Sequence, residues 1–173
     1  MSKRVFVLVL VLMVGMVFGE GLKMAPKYEL QNLDGKKVSL EEALKNGPVV
    51  INFWASWCTP CKEEMPELND LYKKYKDQGL QMHVISIDKG DGISKAKAHV
   101  KASDFEFEAL IDKAGKMLKS DFNEKPNTVP YTFFVNRKGE ITLLTKEGNE
   151  ESIPLKGKQT IETFEEQIKH ILK

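Results

Sequence analysis

Hydrophobic residues in this chain follow two different periods, which mark its strands and helices. Residues 49–54 are β-branched and aromatic, interrupted by one polar residue, Asn52, as in a strand buried on both faces. Over residues 59–78 the apolar positions recur at helical spacing instead, with Pro66 inside the predicted helix. Residues 82–88 form a second apolar run. A helix between two such strands predicts a right-handed βαβ unit, in which the strands are parallel.

A β-hairpin is predicted ahead of this unit. Residues 28–31 have the composition of a short strand, and the Asp34-Gly35 pair that follows is a strong turn signal. Residues 38–42 return from the turn and lead into a helix, for which Ser39 is the expected N-cap. The domain therefore begins with two antiparallel strands.

Strand-like and helix-like patterns of apolar residues alternate through the second half of the chain. Its predicted elements are a helix over 93–101, a strand over 107–111, a helix over 113–122, a strand over 131–135, an antiparallel return over 140–145 and a polar loop over 147–159. Thr160 caps a last helix, whose apolar face comprises Ile161, Phe164, Ile168 and Ile171. The whole pattern predicts an α/β domain whose mixed sheet has a parallel half and an antiparallel half.

The N-terminal segment has a different character from the rest. Two basic residues precede the apolar run 5–18, which is shorter than the roughly 20 residues of a membrane-spanning helix. Residues 1–19 are therefore expected to be a cleaved signal peptide or an uncleaved signal anchor, and both alternatives stay open. Residues 20–27 would form a tether and residues 28–173 the domain. In either case the domain is expected to lie outside the cytoplasm.

Composition narrows the class of protein further. Hydrophobic residues are 42% and charged residues 29% of the 173 positions, which suits a globular core. The 26 Lys and Arg residues nearly balance the 25 Asp and Glu residues, so no general basic surface for nucleic acid is expected. Two cysteines and the scattered His83, His99 and His170 do not supply the about four ligands of a zinc site. Each histidine is expected to be a surface or half-buried residue, and no metal or other cofactor is predicted.

The candidate chemistry lies where the first buried strand meets the following helix. Cys58 and Cys61 occupy this junction, and a cysteine at a helix N-terminus faces free backbone N–H groups and the positive end of the helix dipole. Both favour the thiolate, the nucleophile of disulfide exchange, so Cys58 is expected to attack and Cys61, one turn on, to resolve. Pro60 suits the first helical turn, and Trp57 is expected to cover one side of the pair. A structural disulfide closing so short a loop would contribute only about 2 kcal/mol, so a redox role is favoured.

Residues 49–68, Val-Val-Ile-Asn-Phe-Trp-Ala-Ser-Trp-Cys-Thr-Pro-Cys-Lys-Glu-Glu-Met-Pro-Glu-Leu, resemble the thioredoxin-like proteins of the TlpA/ResA/CcmG group. The resemblance extends over residues 28–173 and includes the N-terminal hairpin, which that group shares with peroxiredoxins. It implies a thioredoxin fold, with a central mixed sheet flanked by helices and an extra N-terminal β-hairpin. It also implies an exported or membrane-tethered thiol-disulfide oxidoreductase.

The resemblance assigns roles to further positions. Val129 and Pro130 match the cis-proline loop, which in the family packs beside the cysteines and offers backbone groups to the substrate chain. Asn52 stands where thioredoxin has a buried aspartate, so that proton acceptor is missing. Glu64 matches a glutamate that the exported group keeps near the dithiol, and it is expected to take the proton of Cys61. Its neighbour Glu63 is expected to be solvated.

The leading hypothesis is a protein-disulfide reductase facing the periplasm or its equivalent. The resemblance implies client proteins with disulfides, apocytochrome c among them, and a membrane thiol reductant as the electron donor. A peroxiredoxin-like peroxide reductase is a weaker alternative, because Trp54 and Ala55 stand where such sites have a Thr and a Pro before the reactive cysteine. A non-catalytic thioredoxin-fold binding module is a third, and the intact pair of cysteines argues against it.

Overall fold

The computed structural model describes residues 22–173. The predicted signal segment, residues 1–19, and the start of the predicted tether lie outside the described residues. Within residues 22–173, no helix combines the length and the apolarity needed to cross a bilayer.

The described chain forms nine strands and five α-helices. In chain order they are β1 (Glu29–Asn32), β2 (Lys37–Ser39), α1 (Leu40–Asn46), β3 (Val49–Trp54), α2 (Thr59–Tyr75), β4 (Gln81–Ser86), α3 (Asp91–Ser103), β5 (Glu108–Ile111), α4 (Lys116–Ser120), β6 (Tyr131–Val135), β7 (Leu143–Leu144), β8 (Glu150–Glu151), β9 (Leu155–Lys156) and α5 (Ile161–Ile171). Short 3₁₀ turns cover Lys76–Gln78, Lys113–Gly115 and Pro126–Thr128.

Seven of these strands form one sheet, in the order β2-β1-β5-β4-β3-β6-β9. Strands β3, β4 and β5 are parallel to one another, and β6 pairs antiparallel with β3. The β1–β2 hairpin joins the sheet through an antiparallel pairing of β1 with β5. The predicted thioredoxin fold, with its mixed central sheet and extra N-terminal hairpin, is confirmed.

The apolar run of β3 makes it the centre of the core. All six of its residues are buried, because strands and helices cover it on every side. Trp54 and Phe53 are among the largest fully buried side chains, and Met65 and Leu68 of α2 pack onto the same core. The pairing runs from Val49 to the end of β3, so the loop that follows emerges at the carboxyl edge of the parallel strands.

The two predicted N-caps are confirmed. The apolar face predicted for α5 differs from the buried face at one residue, Ile161. The Ser39 and Thr160 side chains accept hydrogen bonds from backbone N–H groups in the first turns of α1 and α5, as expected of N-caps. Ile161, however, is 37% exposed. Gln167 is buried in its place, because its side-chain amide donates to the Leu144 carbonyl and accepts from the Leu144 N–H, both at 2.8 Å.

The predicted antiparallel return over 140–145 forms only at its start. Ile141 bridges to β6 and the Thr142 N–H donates to the Phe134 carbonyl, after which the chain leaves the sheet. Gln167 occupies the backbone groups of Leu144, so β7 pairs with β8 instead. The predicted polar loop over 147–159 therefore contains two short strands, and one of them, β9, extends the sheet along β6.

The described part of the predicted tether is attached to the domain. The Ala25 N–H donates to the Gly139 carbonyl, and the Ile141 N–H donates to the Lys23 carbonyl, both at 2.8 Å. Ala25 is buried by this contact. The chain thus reaches β1 along the turn that follows β6, and this turn lies at the far end of β3 from the cysteines.

Candidate active site

The two cysteines lie at the junction that the sequence predicted for them. Cys58 is the N-cap of α2, in extended backbone conformation, and Cys61 lies in the first turn. A disulfide joins them, and the Cys61 N–H donates to the Cys58 sulfur at 3.2 Å. Cys58 is 4% exposed and Cys61 is fully buried. The sulfur of Cys58 thus occupies the position at which free N–H groups and the helix dipole stabilise negative charge.

The cis-proline loop lies directly beside this sulfur. The Val129–Pro130 peptide bond is cis, as the resemblance implied. The Val129 carbonyl oxygen lies 3.6 Å from the Cys58 sulfur. The Pro130 carbonyl accepts a hydrogen bond from the Gly157 N–H at 2.9 Å, which fixes the loop to the segment after β9.

Glu64 is fully buried one helical turn beyond Cys61. Its Oε1 accepts a hydrogen bond from the Asn52 side-chain amide at 3.0 Å, and the same amide donates to the Thr132 hydroxyl at 3.0 Å. Burial raises the pKa of the Glu64 carboxyl group to about 7, and the Asn52 hydrogen bond opposes that rise. Glu64 can therefore exchange a proton near neutral pH.

Asn52, at the position of the missing aspartate, thus contacts Glu64. The sequence indicated it as the only polar residue in an apolar strand, and the structure gives that residue a partner. Glu63, in contrast, is exposed and forms an ion pair with Lys158 at 2.8 Å, in agreement with its expected solvated position.

The segment after β9 covers the Glu64 side of the site. The Gln159 backbone N–H and the charge of Lys158 lower the pKa of the Glu64 carboxyl group, while the charge of Glu67 raises it. Within the described chain, Oε2 of Glu64 has no hydrogen-bond partner of good geometry. The sequence placed Gln159 in a featureless loop, and no local signal distinguished it, because its contact with α2 is long-range.

Trp57, which was expected to cover one side of the pair, lies at the surface. Its side chain is 59% exposed and forms one wall of a groove beside Cys58. Pro60 is also exposed, at the first turn of α2. The two residues thus flank Cys58 at the surface, where an approaching chain can contact them.

Asp88, which the sequence placed in a second strand, anchors the loop before Cys58. Its carboxylate accepts hydrogen bonds from the Ser56 N–H at 2.8 Å, the Ser56 hydroxyl at 2.7 Å and the Ser86 hydroxyl at 2.8 Å. Gly92 closes over this carboxylate, since a Cβ there would lie 2.7 Å from Oδ1. The loop that carries Trp57 is therefore fixed to the end of β4.

The histidines lie away from the cysteines. The expectation of an exposed or half-buried residue was wrong for His83, which is 3% exposed with its Nδ1 2.6 Å from the Tyr28 hydroxyl. Burial lowers the pKa of His83 to about 4, so it is neutral at pH 7. His99 and His170 are half-buried, as expected. In the part of the chain that the structure describes, no group of three His, Cys, Asp or Glu residues could hold a metal ion.

Comparison with known proteins agrees with this geometry. The chain is 35% identical over 149 residues to the thiol-disulfide oxidoreductase ResA of Bacillus thuringiensis subsp. konkukian, an alignment covering 86% of this chain and 77% of that one. It is 36% identical over 119 residues to the thioredoxin-like protein YneN of Bacillus subtilis, covering 68% and 66% of the two chains.

A crystal structure of a thiol:disulfide interchange protein of the thioredoxin family from Chlorobium tepidum shares the fold, with a TM-score of 0.72 and 18% identity over 90% of this chain and 99% of that one. The model of the AhpC/TSA family matches residues 22–144, which is more than half of the chain. The chain therefore belongs to the AhpC/TSA family, within which it is similar to ResA, and with its Cys58–Cys61 pair it is a thiol-disulfide oxidoreductase of the thioredoxin fold.

Proposed function

We propose that this protein is an extracytoplasmic protein-disulfide reductase in which Cys58 attacks the client and Cys61 completes the exchange. The observation that carries the proposal is the asymmetry of the pair. Cys58 lies at the N-terminus of α2, 3.6 Å from the Val129 carbonyl, whereas Cys61 is fully buried one turn from Glu64.

In the first step the Cys58 thiolate attacks one sulfur of a client disulfide. The client S–S bond breaks, a Cys58–client disulfide forms and the second client sulfur leaves as a thiolate. The Val129 carbonyl lies 3.6 Å from the Cys58 sulfur, beside Pro130 in the chain, and Trp57 and Pro60 are exposed on either side of Cys58 in the sequence. These positions support a role for the four residues in holding the client chain.

In the second step Cys61 becomes the nucleophile. The Glu64 carboxylate accepts the Cys61 proton, and the Cys61 thiolate attacks the Cys58 sulfur of the mixed disulfide. The bond between Cys58 and the client breaks, so the client leaves with two reduced sulfurs. The enzyme is left with its Cys58–Cys61 disulfide, the form that the structure contains. A pKa of about 7 for Glu64 supports this proton transfer at neutral pH.

The chain's likeness to ResA and its N-terminal sequence support the proposed compartment and partners. Residues 1–19 would export or anchor the domain, residues 20–27 would connect to it, and residues 28–173 would act outside the cytoplasm. There, a membrane thiol reductant would reduce the Cys58–Cys61 disulfide again. Proteins with unwanted disulfides, apocytochrome c before haem attachment among them, would be the clients.

The peroxide-reductase alternative gains no support from the site. The positions before Cys58 hold the buried Trp54 and Ala55 rather than a hydroxyl group aimed at the sulfur. A binding module without turnover would not need a pair of cysteines in bonding contact.

Trapping of mixed disulfides tests the proposal. Reduced Cys61→Ser should capture clients from an extracytoplasmic extract as adducts on non-reducing gels, because the second step is blocked. Cys58→Ser should capture none, and the double variant is the control. The wild-type protein should reduce insulin disulfides in the presence of dithiothreitol. Adducts with Cys58→Ser alone would reverse the order of attack, and absence of insulin reduction would contradict reductase activity.

A further inference from the structure

A groove of about 490 Å³ opens on the Trp57 side of the disulfide. That volume lies within the range of protein sites for ligands, about 300–1,000 Å³. The groove lies between the loop before Cys58, the end of β4 and the start of α3, and the turns before α4 and β6. Its apolar lining comprises Trp57, Ile87, Ala114 and Pro126. Trp57 lines the groove and is the residue before Cys58 in the chain, so the groove is within reach of a polypeptide joined to Cys58.

Four lysine residues lie in or next to the lining of the groove. Lys89 and Lys95 line it and are exposed. Lys113 and Lys125 are also exposed, and each directly precedes a lining residue. Within residues 22–173, none of these four ammonium groups has a carboxylate oxygen within 4 Å. The groove therefore presents positive charge that no nearby ion pair compensates.

The acidic residues near the groove do not balance this charge. Asp88 lines it but is only 2% exposed, and its two oxygens accept hydrogen bonds from Ser56 and Ser86. Asp91 begins α3, is exposed and directly precedes the lining residue Gly92, so it offsets one of the four ammonium charges. A client side chain in the groove would meet apolar walls and unpaired ammonium groups.

We propose that this groove binds an acidic segment of the client polypeptide next to the client's cysteine, and that Lys89 and Lys95 determine the preference. The proposal rests on the proposed function, since it names the class of client for the same cysteines. An extended client chain that runs from Cys58 over the groove would bring carboxylates near the client cysteine to the two ammonium groups. The apolar walls would take the intervening side chains.

The chemistry of the groove explains why this occupant is favoured. Exposed pairs of opposite charge contribute little each, but they raise the rate of encounter and discriminate against clients of the same charge. Because the lysines are exposed, salt should weaken their effect. The apolar walls should keep some affinity for a neutral segment. Selection among clients, rather than tight binding, is the expected outcome.

Two disulfide-linked peptides that differ only in the residues beside the cysteine, Glu in one and Lys in the other, test this assignment. Wild-type protein should reduce the Glu peptide with a kcat/KM about threefold to tenfold higher at low salt, and the ratio should approach one at high salt. Lys89→Glu with Lys95→Glu should invert the preference. Lys97→Glu with Lys101→Glu is the matched control, since it makes the same charge change on α3 outside the groove. That control should keep the wild-type ratio.

A parallel binding measurement separates this proposal from the proposed function. Cysteine-free versions of the two peptides, labelled for fluorescence anisotropy, report on the groove whether or not exchange occurs. If the protein reduced neither peptide but still bound the Glu peptide more tightly, the proposed reductase activity would be contradicted. The assignment of the groove would be unaffected. Equal binding of both peptides, or the same change in both double variants, would overturn the assignment. A wild-type dimer that Lys89→Glu with Lys95→Glu dissociates would also overturn it, because a second copy of the chain would then fill the groove.

Discussion

Two buried carboxyl groups flank β3, and they meet very different surroundings. Asp88 follows β4 on one side, and its two oxygens accept three hydrogen bonds of 2.7 to 2.8 Å. Glu64 contacts Asn52, whose amide also donates to Thr132 of β6, and within the described residues only one of its oxygens has a hydrogen-bond donor of good geometry. Burial disfavours an ionised carboxyl group, and hydrogen bonds to its charged form oppose that effect. Asp88 is therefore held as an anchor by three donors, whereas burial raises the pKa of Glu64, which has one donor of good geometry, to about 7.

Replacement of Glu64 by Gln should have the largest effect, a loss in the rate of disulfide reduction. In the wild type, reduction of a protein disulfide should accelerate as pH rises through about 7, where Glu64 loses its proton and can accept that of Cys61. Glu64→Gln should lack this limb and turn over about 10²–10⁴-fold more slowly at pH 8.

The pH–rate profiles of both proteins are the measurement, with Glu63→Gln as the control because Glu63 is exposed on the neighbouring position of α2. The control should retain the wild-type profile. A Glu64→Gln profile with the same limb would assign that titration to another group and leave water as the acceptor of the Cys61 proton.

The same substitution should stabilise the fold at high pH. The pKa of Glu64 is raised from 4.5 to about 7 on folding, so its contribution to stability is complete below pH 4.5 and is lost as pH rises through 7. The gap between the two pKa values corresponds to about 3 kcal/mol as an upper estimate. Because Gln stays neutral, Glu64→Gln should exceed the wild type in the free energy of unfolding by up to that amount at pH 8 and by almost nothing at pH 4.

Urea denaturation of the oxidised proteins at several pH values measures this difference. His83 also titrates in acid, but it does so in both proteins, so its effect cancels in the comparison. Glu63→Gln again serves as the control and should show no pH-dependent gain. A Glu64→Gln variant less stable than the wild type at pH 8 would show that the ionised carboxylate is well accommodated, against its proposed role as a base.

The strands, helices and cysteine positions were predictable because their signals are local or periodic. The apolar run of β3 and the helical spacing after it placed Cys58 at a helix N-terminus, and Ser39 and Thr160 capped the helices expected of them. The resemblance to a family, rather than any pattern, indicated Pro130. These features depend on residues near one another in the chain or on a matching motif.

The missed features depend on partners far away in the sequence. The two-residue strand β9 has no period to detect, yet it brings the Gln159 segment over Glu64. His83 is buried because Tyr28, 55 residues earlier, lies against it. The three donors of Asp88 come from two different segments, so only the folded chain distinguishes it from a solvated turn residue.

Replacement of Asp88 by Asn should lower the free energy of unfolding at pH 8, whereas replacement of Glu64 by Gln should raise it. The change at Asp88 should be the smaller of the two. The amide introduced by Asp88→Asn keeps the shape of the carboxylate but turns one acceptor into an NH₂ group, which would face the donors of Ser56 or Ser86. Leaving buried donors unsatisfied costs about 1–3 kcal/mol, and the loop that carries Trp57 would lose its anchor. Asp88→Asn should therefore unfold at lower urea concentration at pH 8, where Glu64→Gln unfolds at higher concentration. Ser86→Ala is the graded comparison: it removes one donor to the carboxylate and the acceptor of the Asp88 N–H but leaves both donors of Ser56, and it should cost about 1 kcal/mol. If Asp88→Asn matched or exceeded the wild type in stability at pH 8, donor number would not explain the difference between the two carboxyl groups, and their positions beside the disulfide would have to explain it instead.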